Sequence, residues 1–446
     1  MTSFTNWAKT YSCKPSTLVK ATSVDQVLDA IELAVTTGRK LRVVGTGHSP
    51  SDIACCSGIL VNTDGLDKVV SVDVGNRLVT VEAGIKLKKL NQVLDKLGLA
   101  LPNLGSISEQ SIAGAISTGT HGTGIGFGIL ASCITRLVIA TSDATLRELT
   151  PTETPTLFSA ALCSLGCLGV IVEVTLCAVD AFQIKFQQFP IAFDALISNF
   201  RDYAVSADYV RFWWFPHTPN CIIWQGTRTT DIPRHPPANW LKDKLLGVHL
   251  YELSLYLSTF VPSILPLLNK RYFEHFFRKP VSGTDKSFKV FNFDCLFSQY
   301  VTEWAIEWEK APLALTRIKK WLEDHPDVVA HCPVEIRFVK GDDVLISPAE
   351  GHDTCFVGII MYRPYGKSVP FDAYWKGYES IMNELGGRPH WAKAHPLKID
   401  DLLIKYPKME TFLKIRRMFD PTDMFVNDYI QRHLLTTDSG VIPAKL

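Results

Sequence analysis

Over the first 180 residues the apolar pattern alternates between short β-type runs and helical stripes. Ser23-Val24-Asp25-Gln26 reads as a capping box. Val27, Leu28, Ile31 and Val35 then form an apolar face that ends at Gly38. Residues 41–44 predict a strand that runs into Gly45-Thr46-Gly47-His48-Ser49-Pro50. Residues 69–72 and 78–81 predict two strands about a turn at Asp73-Val74-Gly75-Asn76. Leu87, Leu90, Leu94 and Leu97 have helical spacing closed by Gly98, and further strands are expected over 137–141 and 170–176. From about Ala178 the texture changes, with Trp213, Trp214, Trp224, Trp240, Trp304 and Trp308 set among longer amphipathic helices and strands. A domain boundary is expected there, dividing 1–178 from 179–446. Residues 412–431 are expected to return as a helix and a strand.

The stretch 253–269 carries no charge but holds Pro262 and Pro266. It is short for a membrane span, so a buried helical hairpin is expected, with peripheral membrane contact as the alternative.

The chain has 446 residues, enough for two or three domains with full cores. Its 46 basic and 45 acidic side chains leave a net charge of +1. That balance gives no general attraction to nucleic acid and points to a small-molecule partner. Eleven cysteines without a CxxC pair read as core residues of a reducing compartment. The N-terminus shows no signal peptide.

Two glycine-rich loops carry the first chemistry. Gly45 to Ser51 follows a strand and can aim N–H groups and hydroxyls at a diphosphate, since glycine permits close approach. The second runs from Gly105 to Gly124 and is rich in serine and threonine. Gly122-Thr-Gly124-Ile-Gly126-Phe-Gly128 does not satisfy the dinucleotide fingerprint GxGxxG, so FAD held across two loops is expected over NAD on one helix. Pro333-Val-Glu335-Ile-Arg337-Phe-Val339 alternates as a strand, placing Glu335 and Arg337 on one face. The residues alone leave two readings open. The pair is a surface salt bridge, or it lines a pocket where a carboxylate accepts a proton and a guanidinium binds an oxyanion. In Arg388-Pro-His390-Trp391-Ala-Lys393-Ala-His395, the two histidines make a poor metal site, so no metal is expected. Lys393 can instead set a cation beside a delocalised anion.

These motifs resemble those of the sugar-1,4-lactone oxidases (gulono-, arabinono- and gluconolactone oxidases) of the vanillyl-alcohol-oxidase flavoprotein class. The likeness runs through residues 43–52, 105–124, 165–174, 293–308, 334–338, 388–395 and 419–427. It implies an α+β fold: a two-subdomain FAD-binding domain of the vanillyl-alcohol-oxidase (PCMH) type, followed by an α+β cap, with 412–431 returning toward the flavin. It implies covalent FAD attachment at His48, with Val44, Gly45, Thr46, Gly47, Ser49 and Pro50 around the cofactor. In the second loop it implies Ser111 toward the substrate, and Ser117, Gly119 and Thr123 toward the cofactor. Ile171 matches a position whose backbone meets the adenine. Glu335 and Arg337 match a substrate-side pair, and Lys393 matches a lysine near flavin N1. The implied reaction is hydride transfer from C2 of an aldonolactone to flavin N5, with O2 reduced to H2O2 and an ascorbate-type enediol lactone formed. The alternatives are a dehydrogenase of the same fold that feeds cytochrome c or a quinone, and a non-catalytic flavin-binding protein.

The chain finishes Ala444-Lys445-Leu446, a variant of the Ser-Lys-Leu peroxisomal address. Import through a peroxisomal receptor is therefore expected ahead of a cytoplasmic or membrane-surface location.

Overall fold

The computed structural model describes residues 3–234, 247–292 and 297–436. Trp240 and the Ala444-Lys445-Leu446 tail lie outside the described residues. Three parallel strands in the order Thr17–Lys20, Ile59–Asn62, Leu41–Val44 form the first sheet, covered by the helix Val24–Thr37. Ser23 caps this helix by accepting from the Gln26 N–H at 3.4 Å, and Gly38 ends it at φ 64°. The Gln26 side chain accepts from the Thr22 N–H at 2.8 Å, so the reciprocal half of the expected capping box falls on Thr22. The buried stripe is Val27, Ala30, Ile31 and Ala34. Val35, expected on that face, is 55% exposed, because it lies one residue around the helix from the line that meets the sheet.

A five-stranded antiparallel sheet packs beside it, in the order Leu146–Leu149, Ile134–Ala140, Val170–Cys177, Leu78–Glu82, Val69–Asp73. The predicted turn closes Asp73 opposite Leu78, with the Asn76 N–H on the Asp73 carboxylate at 3.0 Å. The helix Leu87–Lys96 ends before Gly98, whose φ of 72° only glycine adopts without strain. Ala140, Val170 and Val172 share one core with Ile31, Ile59 and Val61, which welds the two sheets together.

The five-stranded sheet ends at Cys177, and an eight-stranded antiparallel sheet begins at Gln183. Its order is Val281–Lys286, Gln183–Ala192, Asn220–Thr229, Tyr209–Trp214, Val334–Val339, Thr354–Tyr362, Gln299–Glu307, Arg388–Pro389. One hydrophobic cluster runs from Val79 and Ile139 of the smaller sheet to Phe212 and Ile336 of the larger, so the junction itself is core.

The chain returns to the first sheet through the helix Met409–Phe419. The strand expected after it is absent. Asp420 instead takes the N–H groups of Met424 and Phe425 at 2.7 and 2.8 Å, making a turn whose Met424 carbonyl accepts from the Leu41 N–H at 2.8 Å. The apolar stretch is a hairpin of the helices Tyr251–Ser258 and Leu265–Phe276. Tyr251, Leu255, Leu265 and Phe273 pack on Phe215 and Tyr362. The expected burial holds for this face only, since Leu257, Phe260, Val261 and Leu267 are 50–63% exposed. Among the described residues no helix is long and apolar enough to cross a membrane.

Candidate active site

Two adjoining cavities meet at His48, which lines both. The first is a cleft between the two glycine loops. The strand Leu41–Val44 delivers the first loop, and Val44, Gly45, Thr46, Gly47, His48 and Ser49 line the cleft. Ser111 and Ser117 come from the ends of the short helix Ile112–Ser117, and Ile171 comes from the central strand of the five-stranded sheet. Gly45 is compulsory here, because a Cβ would lie 2.1 Å from the Ser111 hydroxyl. Gly47 turns the loop at φ 67°.

Two supports of this cleft carry no motif in the sequence. Buried Arg42 donates to the carbonyls of Ile53, Leu165, Gly166 and Phe425 at 2.7–3.1 Å, so one guanidinium ties both walls to the returning chain. Near the N-terminus, the Trp7 N–H donates to the Gly47 carbonyl at 2.8 Å and the Asn6 side chain donates to the Ser49 carbonyl at 3.0 Å. Trp7 also stacks on His48, with centroids 5.5 Å apart.

The second cavity, of about 280 Å³, lies between the loops and the large sheet. His48 and Pro50 form one side. Glu335 and Arg337 project into it from alternate positions of the strand Val334–Val339, and Lys393 reaches it from the loop after Arg388–Pro389. This removes the surface-salt-bridge reading of the pair. Trp213, Phe215, Tyr272 and Phe277 make an apolar wall, the last two contributed by the helical hairpin and its end. Trp391 is fully buried and donates to the Ile346 carbonyl at 2.6 Å, which fixes the loop that carries Lys393.

Three expected site residues stand elsewhere. Ser111 lines the first cavity and packs against Gly45; it does not line the second, where Gln110 borders both. Gly119 and Thr123 line neither. Gly119 serves a left-handed turn at φ 70° against Pro348. The Thr123 hydroxyl is consumed by donating to the Val210 carbonyl and accepting from the Phe338 N–H, a pin between the loop and the large sheet.

Three charged or titratable residues at the second cavity escaped sequence reasoning: His121, Glu303 and His390 as a group. All three are buried, and one ligand atom from each lies within 4.8 Å of the others. Burial alone would raise the Glu303 carboxyl, but the Arg337 guanidinium beside it holds it well below the usual carboxylate range. The Arg337 guanidinium sits 2.5 Å from a Glu303 oxygen and thus occupies the place a cation would take. Glu335 accepts from Trp213 Nε1 at 3.3 Å and is ion-paired with Arg337 at 3.5 Å and Arg211 at 3.8 Å. Thr120-His121-Gly122 in the second loop and His390 in the 388–395 motif hinted at a polar site there, without linking the two. Glu303 has no local sequence signal.

The first cavity fits FAD by its own features. Its walls are backbone amides, small hydroxyls and glycines that a Cβ would block, which suits a diphosphate. His48 Nδ1 is buried without a hydrogen-bond partner at the point where the cavities meet. Burial lowers the pKa of its ring, which favours the neutral imidazole.

A family model for D-arabinono-1,4-lactone oxidase matches residues 174–433, and one for an FAD binding domain matches residues 15–150. The L-gulonolactone oxidase of Scyliorhinus torazame is 42% identical over 96% of this chain and 97% of its own. That of Bos taurus is 43% identical over the same shares. Among solved structures, a solvent-stable cholesterol oxidase superposes with a TM-score of 0.79, covering 96% of each chain at 18% identity, which bears on the fold alone.

Proposed function

The chain belongs to the D-arabinono-1,4-lactone oxidase family and binds FAD, and from that premise we propose that it oxidises an aldono-1,4-lactone at its C2 hydroxyl, with dioxygen as acceptor and hydrogen peroxide as product. The observation that carries this reading is the second cavity, where Arg337, Glu335 and Lys393 converge beside His48. FAD, when bound, supplies the acceptor for two electrons. The chain supplies position and charge. Arg337 offers N–H donors to the reacting oxygen, and Glu335, held by Arg211 and Trp213, orients a neighbouring hydroxyl. Lys393 adds a cation on the His48 side. Trp213, Phe215, Tyr272 and Phe277 exclude water and give a five-membered ring a flat surface. His48, with its bare Nδ1, is the residue we assign as the covalent anchor of the cofactor.

Purified holoenzyme should be offered gulono-, galactono-, arabinono- and gluconolactones in air while substrate loss and peroxide are measured. One peroxide per lactone is expected with at least one member of the panel. Flavin that bleaches under nitrogen but yields no peroxide in air would make the protein a dehydrogenase. Flavin that no lactone bleaches would remove the substrate assignment.

A further inference from the structure

The buried group at the floor of the second cavity lacks one proton, and the missing proton can be located. His121 Nδ1 lies 2.9 Å from the Gly122 carbonyl, an atom that only accepts, so the ring proton sits on Nδ1. Nε2 of a neutral ring is then a bare lone pair. It is buried, has no hydrogen-bond partner, and faces Glu303 Oε1 at 3.5 Å. Two acceptors therefore confront each other in a site lined by the cavity. Burial first, and then the Arg337 charge, lower the pKa of His121, which disfavours a second proton on the ring.

The surroundings hold this arrangement in place. Glu303 lies on the strand Gln299–Glu307, and its neighbour in space His390 is fixed by its own N–H on the Glu303 carbonyl at 2.9 Å. His390 Nδ1 accepts from the Ala392 N–H at 3.1 Å, which leaves its proton on Nε2 as a donor toward the group. His121 stacks on Phe356 at 3.6 Å, and Phe356 stands opposite Arg337 in the sheet. The charged and titratable groups facing the pair are Arg337, His390, Lys393 and, from behind, Tyr378, whose hydroxyl is engaged by the Val357 carbonyl and the Trp304 N–H. Glu335 is the obvious competitor as proton acceptor, but its Oε1 already accepts from Trp213 Nε1 at 3.3 Å, and its carboxylate is ion-paired with Arg211 and Arg337.

We propose that His121 and Glu303 together accept the proton released from the substrate hydroxyl. The step rests on the lactone oxidation proposed above. The C–H bond breaks and its electron pair leaves as hydride to FAD; the O–H bond breaks, its pair becomes the second bond of the new carbonyl, and the proton lodges between Glu303 Oε1 and His121 Nε2. His121 Nε2, which has no hydrogen-bond partner at rest, then gains one, while Glu303 Oε1 keeps its contact with Arg337, so the resting deficit at the imidazole becomes a driving term for the reaction. Arg337, which also donates to the reacting oxygen, and His390, a positioning residue, keep Glu303 ionised until that moment.

Two measurements decide this. Nitrogen-15 spectra of histidine-labelled holoenzyme without substrate, assigned with His121→Asn, are expected to show His121 protonated at Nδ1 and bare at Nε2 near pH 7. A protonated Nε2 would overturn the proposal whatever the substrate proves to be. In anaerobic mixing with a lactone, Glu303→Gln should slow flavin reduction by roughly 100-fold or more while retaining the flavin spectrum, and should flatten the fall in rate on the acid side. Reduction at the wild-type rate with the wild-type acid limb would overturn it equally. Wild-type flavin that no lactone reduces would count against the functional reading, while the nitrogen-15 result still decides the state of the pair.

Discussion

At His48 two requirements meet in one side chain: a ring nitrogen free of partners, and a position shared by both cavities. If it is the anchor, acid-precipitated protein stays yellow and fluorescent, and the His48→Ala pellet is colourless. A colourless native pellet would contradict the attachment. Thr123 illustrates the opposite outcome. Its motif placed it toward the cofactor, yet its hydroxyl is spent on Val210 and Phe338. Thr123→Val should therefore destabilise the fold by about 1–3 kcal/mol, since the Val210 carbonyl and the Phe338 N–H lose their buried partner. FAD affinity per folded molecule should stay unchanged. A marked loss of FAD affinity in folded protein would restore the cofactor role.

The elements divide by what stabilises them. The strand Val334–Val339 buries Val334, Ile336 and Phe338 on one side and leaves Glu335 and Arg337 on the other, so period-2 alternation alone places the pair correctly. The helical hairpin 251–276 carries its apolar residues on both sides. One side covers the wall of the active cavity, and the other shows Leu257, Phe260, Val261 and Leu267 to solvent beside exposed Lys270, Arg271, Arg278 and Lys279. An apolar ridge with a basic flank suits the surface of an anionic bilayer. The protein should sediment with phosphatidylserine vesicles, and Leu257→Glu with Phe260→Glu should release it without slowing flavin reduction. Wild-type protein that stays in the supernatant would dismiss peripheral contact.

At the scale of the whole molecule, the large sheet closes over the glycine loops, and the returning segment 420–427 ties the far end of the chain to the first sheet through Arg42 and Leu41. This brings residues such as Asp52 and Asn427 into contact. For the Ala444-Lys445-Leu446 address, an N-terminal fluorescent fusion is expected to form puncta that coincide with a peroxisomal marker. Deleting Leu446 should make the signal diffuse. Diffuse signal from both fusions would rule out the address.

The sequence by itself determined the features that depend on local order. Examples are the helix between Ser23 and Gly38, the turn at Asp73, the glycine loops, and the strand that presents Glu335 and Arg337. Each is decided by capping, φ or alternation within a few residues. The motif resemblance then assigned the loops to FAD and the strand to substrate. Tertiary structure alone decided which helical stripe is buried, that the chain after Phe419 makes a turn closed by Asp420 rather than a strand, and where Ser111, Gly119 and Thr123 point. It also assembled Arg42's five hydrogen bonds and the group of His121, Glu303 and His390. Glu303 sits in an ordinary strand, and nothing near it in sequence marks it. Its chemistry comes from a guanidinium and two imidazoles set beside it by strand pairing across the large sheet and by the second glycine loop. Long-range pairing leaves no periodic trace in the chain, and for that reason this part of the site was legible only in three dimensions.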